Sequence, residues 1–226
     1  MQTKLINVKL NISFLILSLA CFVLFYSNQI KAQQLPTAIY NTGEAAEDLV
    51  DFAQAGNWKE IKIKINTIDD LYKAYRSEVL SNKLSSQLLD FYSMYIEQLN
   101  SSLKSKNSKD IAFAANQITG IGVDFSSHFK QKIPAEIGRL DYLGRELLLE
   151  AHDNNLTAID RRLGDVDYTW QSIKPDILAH HGVKQAAVFE KLVSEIKSLK
   201  NKPVSSEYNK FVNKYSDHID KLEKLF

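Results

Sequence analysis

The chain has 226 residues, with 28 basic and 27 acidic side chains and a formal net charge of +1. This balance leaves no basic excess to attract a phosphate backbone, so the composition excludes an electrostatically driven nucleic-acid-binding role. The single cysteine, Cys21, excludes cysteine-rich metal sites and disulfide frameworks.

The first 32 residues have the parts of a secretory signal peptide. Lys4 and Lys9 precede an apolar run over 12–25, and Ala32 offers a small residue for cleavage. The run is shorter than the roughly 20 apolar residues that a membrane-spanning helix needs. The sequence therefore predicts an exported protein, periplasmic or extracellular, that is cleaved after Ala32 and has no stable membrane span.

Two alternatives for this segment stay open: an uncleaved membrane anchor and a lipoprotein signal ending at Cys21. The lipoprotein reading is weakened because Leu17 lies four residues before the cysteine instead of three. The apolar run also continues over 22–25, where a mature lipoprotein would turn polar.

Cleavage after Ala32 would change the chemistry available to the mature chain. It would remove Cys21 and three lysines, which leaves 25 basic and 27 acidic residues and a net charge of −2. A chain without cysteine has no thiol nucleophile, no disulfide and no covalent c-type haem. We expect no cofactor.

Beyond residue 36, apolar residues recur at helical spacing and predict an all-α protein of eight helices. The first three predicted helices cover about 37–55, 58–80 and 83–104. The third is expected to bury Leu88, Phe91, Tyr95 and Leu99. Asn107 is predicted to cap the fourth helix, and Pro134 opens the fifth. The sixth is expected to bend or end at Pro175, the seventh follows Gly182, and the eighth follows Pro203.

A weak internal repeat suggests how these helices are grouped. An offset of 98 residues aligns Pro36 with Pro134 and Asn57 with Asn155, and an offset of 97 aligns later positions. The sequence therefore predicts an antiparallel bundle of two tandem four-helix units, over 33–130 and 131–226. A solenoid of stacked helical hairpins is the alternative.

Several histidines are predicted to meet at one pole of the second unit. If the helices alternate in direction, His128, His180 and His181 share that pole, and Asp124 lies one turn before His128. A carboxylate and imidazoles could hold zinc or copper, so these four residues are the candidate metal ligands. The alternative is that the histidines are solvated at helix ends.

A second candidate is a pocket at Asp141 and Arg145, which are spaced for an ion pair on one helix. Gly144 lies between them, and a glycine inside a helix usually has a packing reason. A close helix approach here could form an anion or carboxylate pocket, or the pair could be an ordinary surface pair. The polar residues Asn116, Gln117 and Thr119 lie near a core stripe and need hydrogen-bond partners.

Catalysis and haem binding have little support. No nucleophile elbow, P-loop or dinucleotide-binding motif is present, and Met94 is expected to fill the core. We therefore expect a protein without enzymatic activity that binds an unknown envelope protein or a small ligand. Metal handling at the histidine pole is the alternative function.

Export followed by eight helices in two bundles resembles the architecture of imelysin-like periplasmic proteins, which are linked to iron uptake. That family's H-x-x-E motif is absent, because no histidine of this chain is followed three residues later by glutamate. The resemblance therefore covers architecture across the mature chain and assigns no functional residue.

Overall fold

A computed structural model describes residues 34–226. The predicted signal peptide and its cleavage site after Ala32 lie outside the described residues. The described part contains eight α-helices and no β-strand, which confirms the all-α prediction. The helices are α1 Thr37–Gln54, α2 Trp58–Ser81, α3 Ser86–Ser105, α4 Ser108–Ser126, α5 Ala135–His152, α6 Leu156–Ala179, α7 Val183–Leu199 and α8 Ser206–Glu223.

Side-chain caps mark where several helices begin. The side chains of Asn57, Asn107, Asn155 and Ser205 each accept a hydrogen bond from the backbone amide three residues further on. Such caps satisfy one of the free amides in the first helical turn. The predicted Asn107 cap is therefore confirmed, and the same local signal defines the start of α2, α6 and α8.

The eight helices form two four-helix bundles that meet at α4 and α5. In the first bundle, α1 and α3 each contact both α2 and α4, and in the second, α5 and α7 each contact both α6 and α8. Short connections make neighbouring helices antiparallel. Each bundle has its own hydrophobic core, and Leu149 of α5 belongs to the core of the first bundle.

The two bundles match in helix length and in loop geometry. α1 and α5 each have 18 residues, and α2 and α6 each have 24. Positive φ angles occur at Gly56 and at Asn154, and again at Lys83 and at His181, each pair 98 residues apart. Because left-handed backbone is uncommon outside glycine, its recurrence at this offset is a specific local similarity.

Two residues of α3 that were expected in the core are exposed. The buried apolar residues of α3 are Leu89, Tyr92 and Leu99, whereas Phe91 and Met94 are exposed. Adjacent apolar pairs at 88–89 and 91–92 allow two helix faces, and Tyr92 is selected because it stacks on Tyr75 with ring centroids 4.3 Å apart. The expected core role of Met94 is therefore wrong.

Pro175 does not end α6, which continues to Ala179. A proline inside a helix removes the hydrogen bond to the carbonyl four residues earlier. That carbonyl belongs to Gln171, an exposed residue, so water can reach this part of the helix.

Within residues 34–226, none of the helices combines the length and apolar character needed to cross a membrane.

Candidate functional site

A buried polar network lies where α4 of the first bundle packs against α5 of the second. Its centre is Glu146, whose side chain is only 1% exposed. One carboxylate oxygen of Glu146 accepts hydrogen bonds from the amides of Asn116 at 2.7 Å and Gln117 at 2.8 Å. The other oxygen lies 2.6 Å from the guanidinium of Arg162 on α6. A buried charge needs such partners, and here two other helices, α4 and α6, supply them.

The network continues through Asn116 to the opposite side of α5. The Nε–H of Arg145 donates to Asn116 Oδ1 at 3.1 Å. Its other guanidinium nitrogens lie 2.7 Å from Asp141 and 2.9 Å from Glu47 of α1. We name this set the inter-bundle network. It joins both bundles through charged hydrogen bonds.

The predicted Asp141–Arg145 pair therefore forms, but the surroundings of the pair do not favour the anion pocket that was one of its two expected roles. Asp141 lies on a cleft between the bundles that is also lined by Glu44, Glu47 and Glu223. Arg145 is already engaged by two carboxylates. Because every charged residue that lines it is acidic, this acidic cleft disfavours anions.

Burial and crowding of carboxylates raise pKa values in the acidic cleft. Burial raises the pKa of Glu47 to about 7, against the effect of Arg145 and with the help of Asp141 and Glu44. The pKa of Asp141 is also raised by burial, although Arg145 opposes the shift. Burial and the Asp141 charge raise the pKa of Glu223. In each case the pKa is raised because the surroundings disfavour the charged carboxylate.

On the other side of α5, Arg162 lines a larger cleft between α4, α5 and α6. This Arg162 cleft has a volume of about 560 Å³. Its polar lining includes a second arginine, two tyrosines and three hydroxyl groups. They are Arg139, Tyr142, Tyr168, Ser127, Thr169 and Ser172. Three carboxylates, those of Asp124, Glu136 and Asp165, line the cleft as well. A cleft of this size is within the range of small-molecule sites, roughly 300–1,000 Å³.

Two guanidinium groups converge on Tyr142 in this cleft. The Arg139 guanidinium carbon lies 5.4 Å from the Tyr142 ring centroid, and Arg139 also pairs with Asp124. Arg162 approaches Asp165 at 3.6 Å, and its buried Nε has no hydrogen-bond partner among the described residues. Burial raises the pKa of Tyr142 to about 12, with Glu146 adding to the shift and Arg162 opposing it.

The predicted metal ligands are not brought together. Within residues 34–226 there is no group of three or more histidine, cysteine or acidic side chains placed to hold a metal ion. Asp124 is engaged by Arg139, and the Nδ1 of His180 lies 2.9 Å from its own helix carbonyl at Asp176. His128 and His181 are exposed. The structure therefore does not support the predicted metal site at Asp124, His128, His180 and His181.

The polar residues of α4 have the partners that the sequence required. Asn116 is fully buried and Thr119 is 2% exposed, and both are hydrogen-bonded. Asn213, which the repeat aligns with Asn116, is instead exposed.

Sequence reasoning missed Glu146 and Arg162. The signal that could have found them is the repeat itself, because the offset of 98 aligns them with Asp48 and Lys64, another acid–base pair.

Comparisons of the chain with protein-family models, with curated proteins and with solved structures gave no match.

Proposed function

We propose that the protein is an exported binding protein that takes a small carboxylate-bearing ligand into the Arg162 cleft. The observation that carries this proposal is the buried Glu146 behind Arg162. Burying an ion pair seldom stabilises a fold more than apolar packing of similar volume would. A positional role accounts for its presence, because Glu146 holds the guanidinium in one orientation at the cleft.

The chemistry of the lining supports a ligand with a planar anionic group. Arginine presents a rigid fork of donors that matches a carboxylate. Arg162 has a loose contact with Asp165, whose side chain is 49% exposed and could be displaced by a ligand. Tyr168, which is 82% exposed, offers an aromatic wall at the cleft entrance.

A binding role is favoured over catalysis by the same lining. The carboxylates of Asp124 and Asp165, which could act as a general base, each face an arginine, and the described residues of the cleft include no histidine or cysteine.

Export is proposed from the N-terminal sequence. Mass spectrometry of the secreted or periplasmic protein should give a mature chain that begins at Gln33. A retained or lipidated N-terminus would contradict this cleavage.

The binding proposal is tested by titrating the protein with acetate, succinate and benzoate in a calorimeter. We expect at least one to bind, and Arg139→Gln to weaken it by about tenfold or more, since charged hydrogen bonds contribute about 1.5–3 kcal/mol. Arg139 is chosen because its partner Asp124 is half-exposed, so the variant leaves no buried charge unpaired.

Arg161→Gln is the matched control. Arg161 is exposed, lies beside Arg162 on α6 and does not line the cleft, so the same charge change should alter affinity by less than about twofold. If none of the three carboxylates binds, or if both variants weaken binding equally, the proposed site is wrong.

We also propose that the two bundles arose by duplication of one four-helix unit. The matched caps, positive φ angles and helix lengths support it. Superposition of 36–130 on 134–226 with the 97- and 98-residue offsets checks it, and a large deviation in helix order or register would refute it.

A further inference from the structure

A third cleft, at the pole where the histidines were predicted to meet, is lined only by basic and neutral residues. It lies between the start of α7 and the end of α8 and has a volume of about 440 Å³. The charged lining residues are Lys184, Lys221 and Lys224. We name it the lysine cleft. No carboxylate lines it, although α8 carries acidic residues on its other faces.

The three lysines have no neutralising partners among residues 34–226. Ion pairs in this part of the chain engage Lys64, Lys109, Lys174, Lys197 and Lys200. None of the cleft lysines takes part in one. Three ammonium groups around one cavity repel each other, so an anion that enters the cavity relieves this repulsion.

The floor of the cleft is a buried imidazole. His218 is only 4% exposed, and its Nε2 lies 2.8 Å from the backbone oxygen of Gln185. This contact ties α8 to the first turn of α7 and fixes the ring. His218 and Lys221 are three residues apart, so both project from one face of α8. The lysine cleft is therefore held in shape by a buried polar contact.

The first turn of α7 adds to the positive character of the cleft. Gly182 gives this helix no side-chain cap, and the turn contains no acidic residue. Its free amides carry the positive end of the helix dipole. Lys184 and Gln185, both lining residues, belong to this turn.

We infer that the lysine cleft binds a phosphate group. The negative charge of a phosphate monoester or diester complements three ammonium groups, and its oxygen acceptors match the amide donors of α7. Val188 and Leu225 supply an apolar wall, which suits a phosphate carried on an organic molecule. That molecule is either a free phosphate ester or a lipid whose headgroup carries the phosphate. This site is independent of the Arg162 cleft.

The experiment measures binding of pyrophosphate and of phosphatidylglycerol vesicles to the mature chain at constant ionic strength. Sodium chloride at matched ionic strength replaces pyrophosphate in the blank, and phosphatidylcholine vesicles replace the anionic ones. Pyrophosphate binding identifies a free phosphate compound as the ligand source, and binding to the anionic vesicles alone identifies a lipid. Failure of both overturns the inference.

The variant Lys184→Gln with Lys221→Gln should weaken binding by about tenfold or more, the effect of losing two charged contacts. Its control is Lys191→Gln with Lys210→Gln, which removes one exposed lysine from each of the same helices away from the cleft. The control should change affinity by less than about twofold at an ionic strength near 0.1 M.

If the cleft lysines only offset the negative end of the α8 dipole, the double variant will shift the melting temperature and leave binding unchanged. That outcome overturns the inference. Circular dichroism of both double variants confirms that each is folded. Because the Arg162 cleft is intact in both, carboxylate binding there should be unaffected, and the two proposals can fail separately.

Discussion

The same acid–base pair occurs in both bundles and has a different environment in each. In the first bundle, Asp48 pairs with Lys64 at 2.5 Å, with side chains 52% and 27% exposed. In the second, Glu146 pairs with Arg162 at 2.6 Å, with side chains 1% and 18% exposed. The positions match at an offset of 98 residues. The first pair is at the surface because α4 packs over the second pair only.

An aromatic contact repeats in the same way. Tyr72 stacks on Tyr92 with ring centroids 5.5 Å apart, and Trp170 stacks on Phe189 at 4.3 Å. The polar atoms also correspond, since the Tyr72 hydroxyl contacts Ser93 and the Trp170 indole N–H donates to Glu190. The bundles therefore share their internal packing and differ in what covers them. The proposed binding site lies where one copy is covered by the other.

The largest expected difference between the copies comes from removing the acid of each pair. Glu146→Ala leaves the Arg162 guanidinium and two amides without their buried partner, which should cost about 3–5 kcal/mol. Asp48→Ala removes an exposed pair and should cost less than about 1 kcal/mol. Urea unfolding of both variants measures the two losses. Equal losses would show that the burial of Glu146 has no energetic consequence.

A smaller difference is expected at Gly144, whose counterpart in the first bundle is Ala46. A Cβ on Gly144 would lie 2.7 Å from the Tyr215 ring, whose hydroxyl donates to the Leu140 carbonyl. Gly144→Ala should therefore cost about 1–3 kcal/mol through overpacking. The control is Gly164→Ala in α6, where no atom lies within 4 Å, and helix propensity should stabilise it by up to about 1 kcal/mol. Thermal unfolding that ranks the two variants in the opposite order would contradict this packing argument.

The smallest effect on stability is expected from the titration of the acidic cleft. This cleft forms where α1 and α8 approach α5. Because burial raises the pKa of Glu47 to about 7, the folded protein binds more protons than the unfolded chain between about pH 4.5 and pH 7. Stability should therefore fall as pH rises through this window, and the raised pKa values of Asp141 and Glu223 act in the same direction.

Glu47→Gln should flatten this pH dependence when melting temperatures are measured across the window. The matched control is Glu97→Gln, an exposed glutamate of α3 outside the acidic cleft, which should keep the native slope. A native protein whose stability rises with pH over this range would contradict the predicted direction.

Local signals in the sequence were sufficient for the helices but not for every buried face. Apolar spacing, with a capping asparagine at Asn107, predicted eight helices, since both signals act within one or two turns. The buried face of α3 was misassigned because the apolar pairs at 88–89 and 91–92 fit two stripes. Only the stack of Tyr92 on Tyr75 selects one of them.

The candidate site was predicted only in part, for the same reason. Asp141 and Arg145 could be paired from their spacing on one helix, and Asn116 was expected to need a partner. Glu47 of α1 and Arg162 of α6 complete the network from other helices, and Glu146 follows Arg145 directly but was not recognised. The candidate metal ligands do not come together, because a shared pole does not ensure a shared site and Asp124 and His180 have nearer partners.

The sequence by itself determined the all-helical fold, the helix starts and the recurrence of one acid–base pair, because these depend on contacts within a helix or between adjacent helices. Only the tertiary structure decided that Glu146 is buried while Asp48 is exposed. The cost of desolvating a charge depends on which distant helix packs over it. Here α4 covers Glu146, and that contact positions Arg162 at the proposed binding cleft.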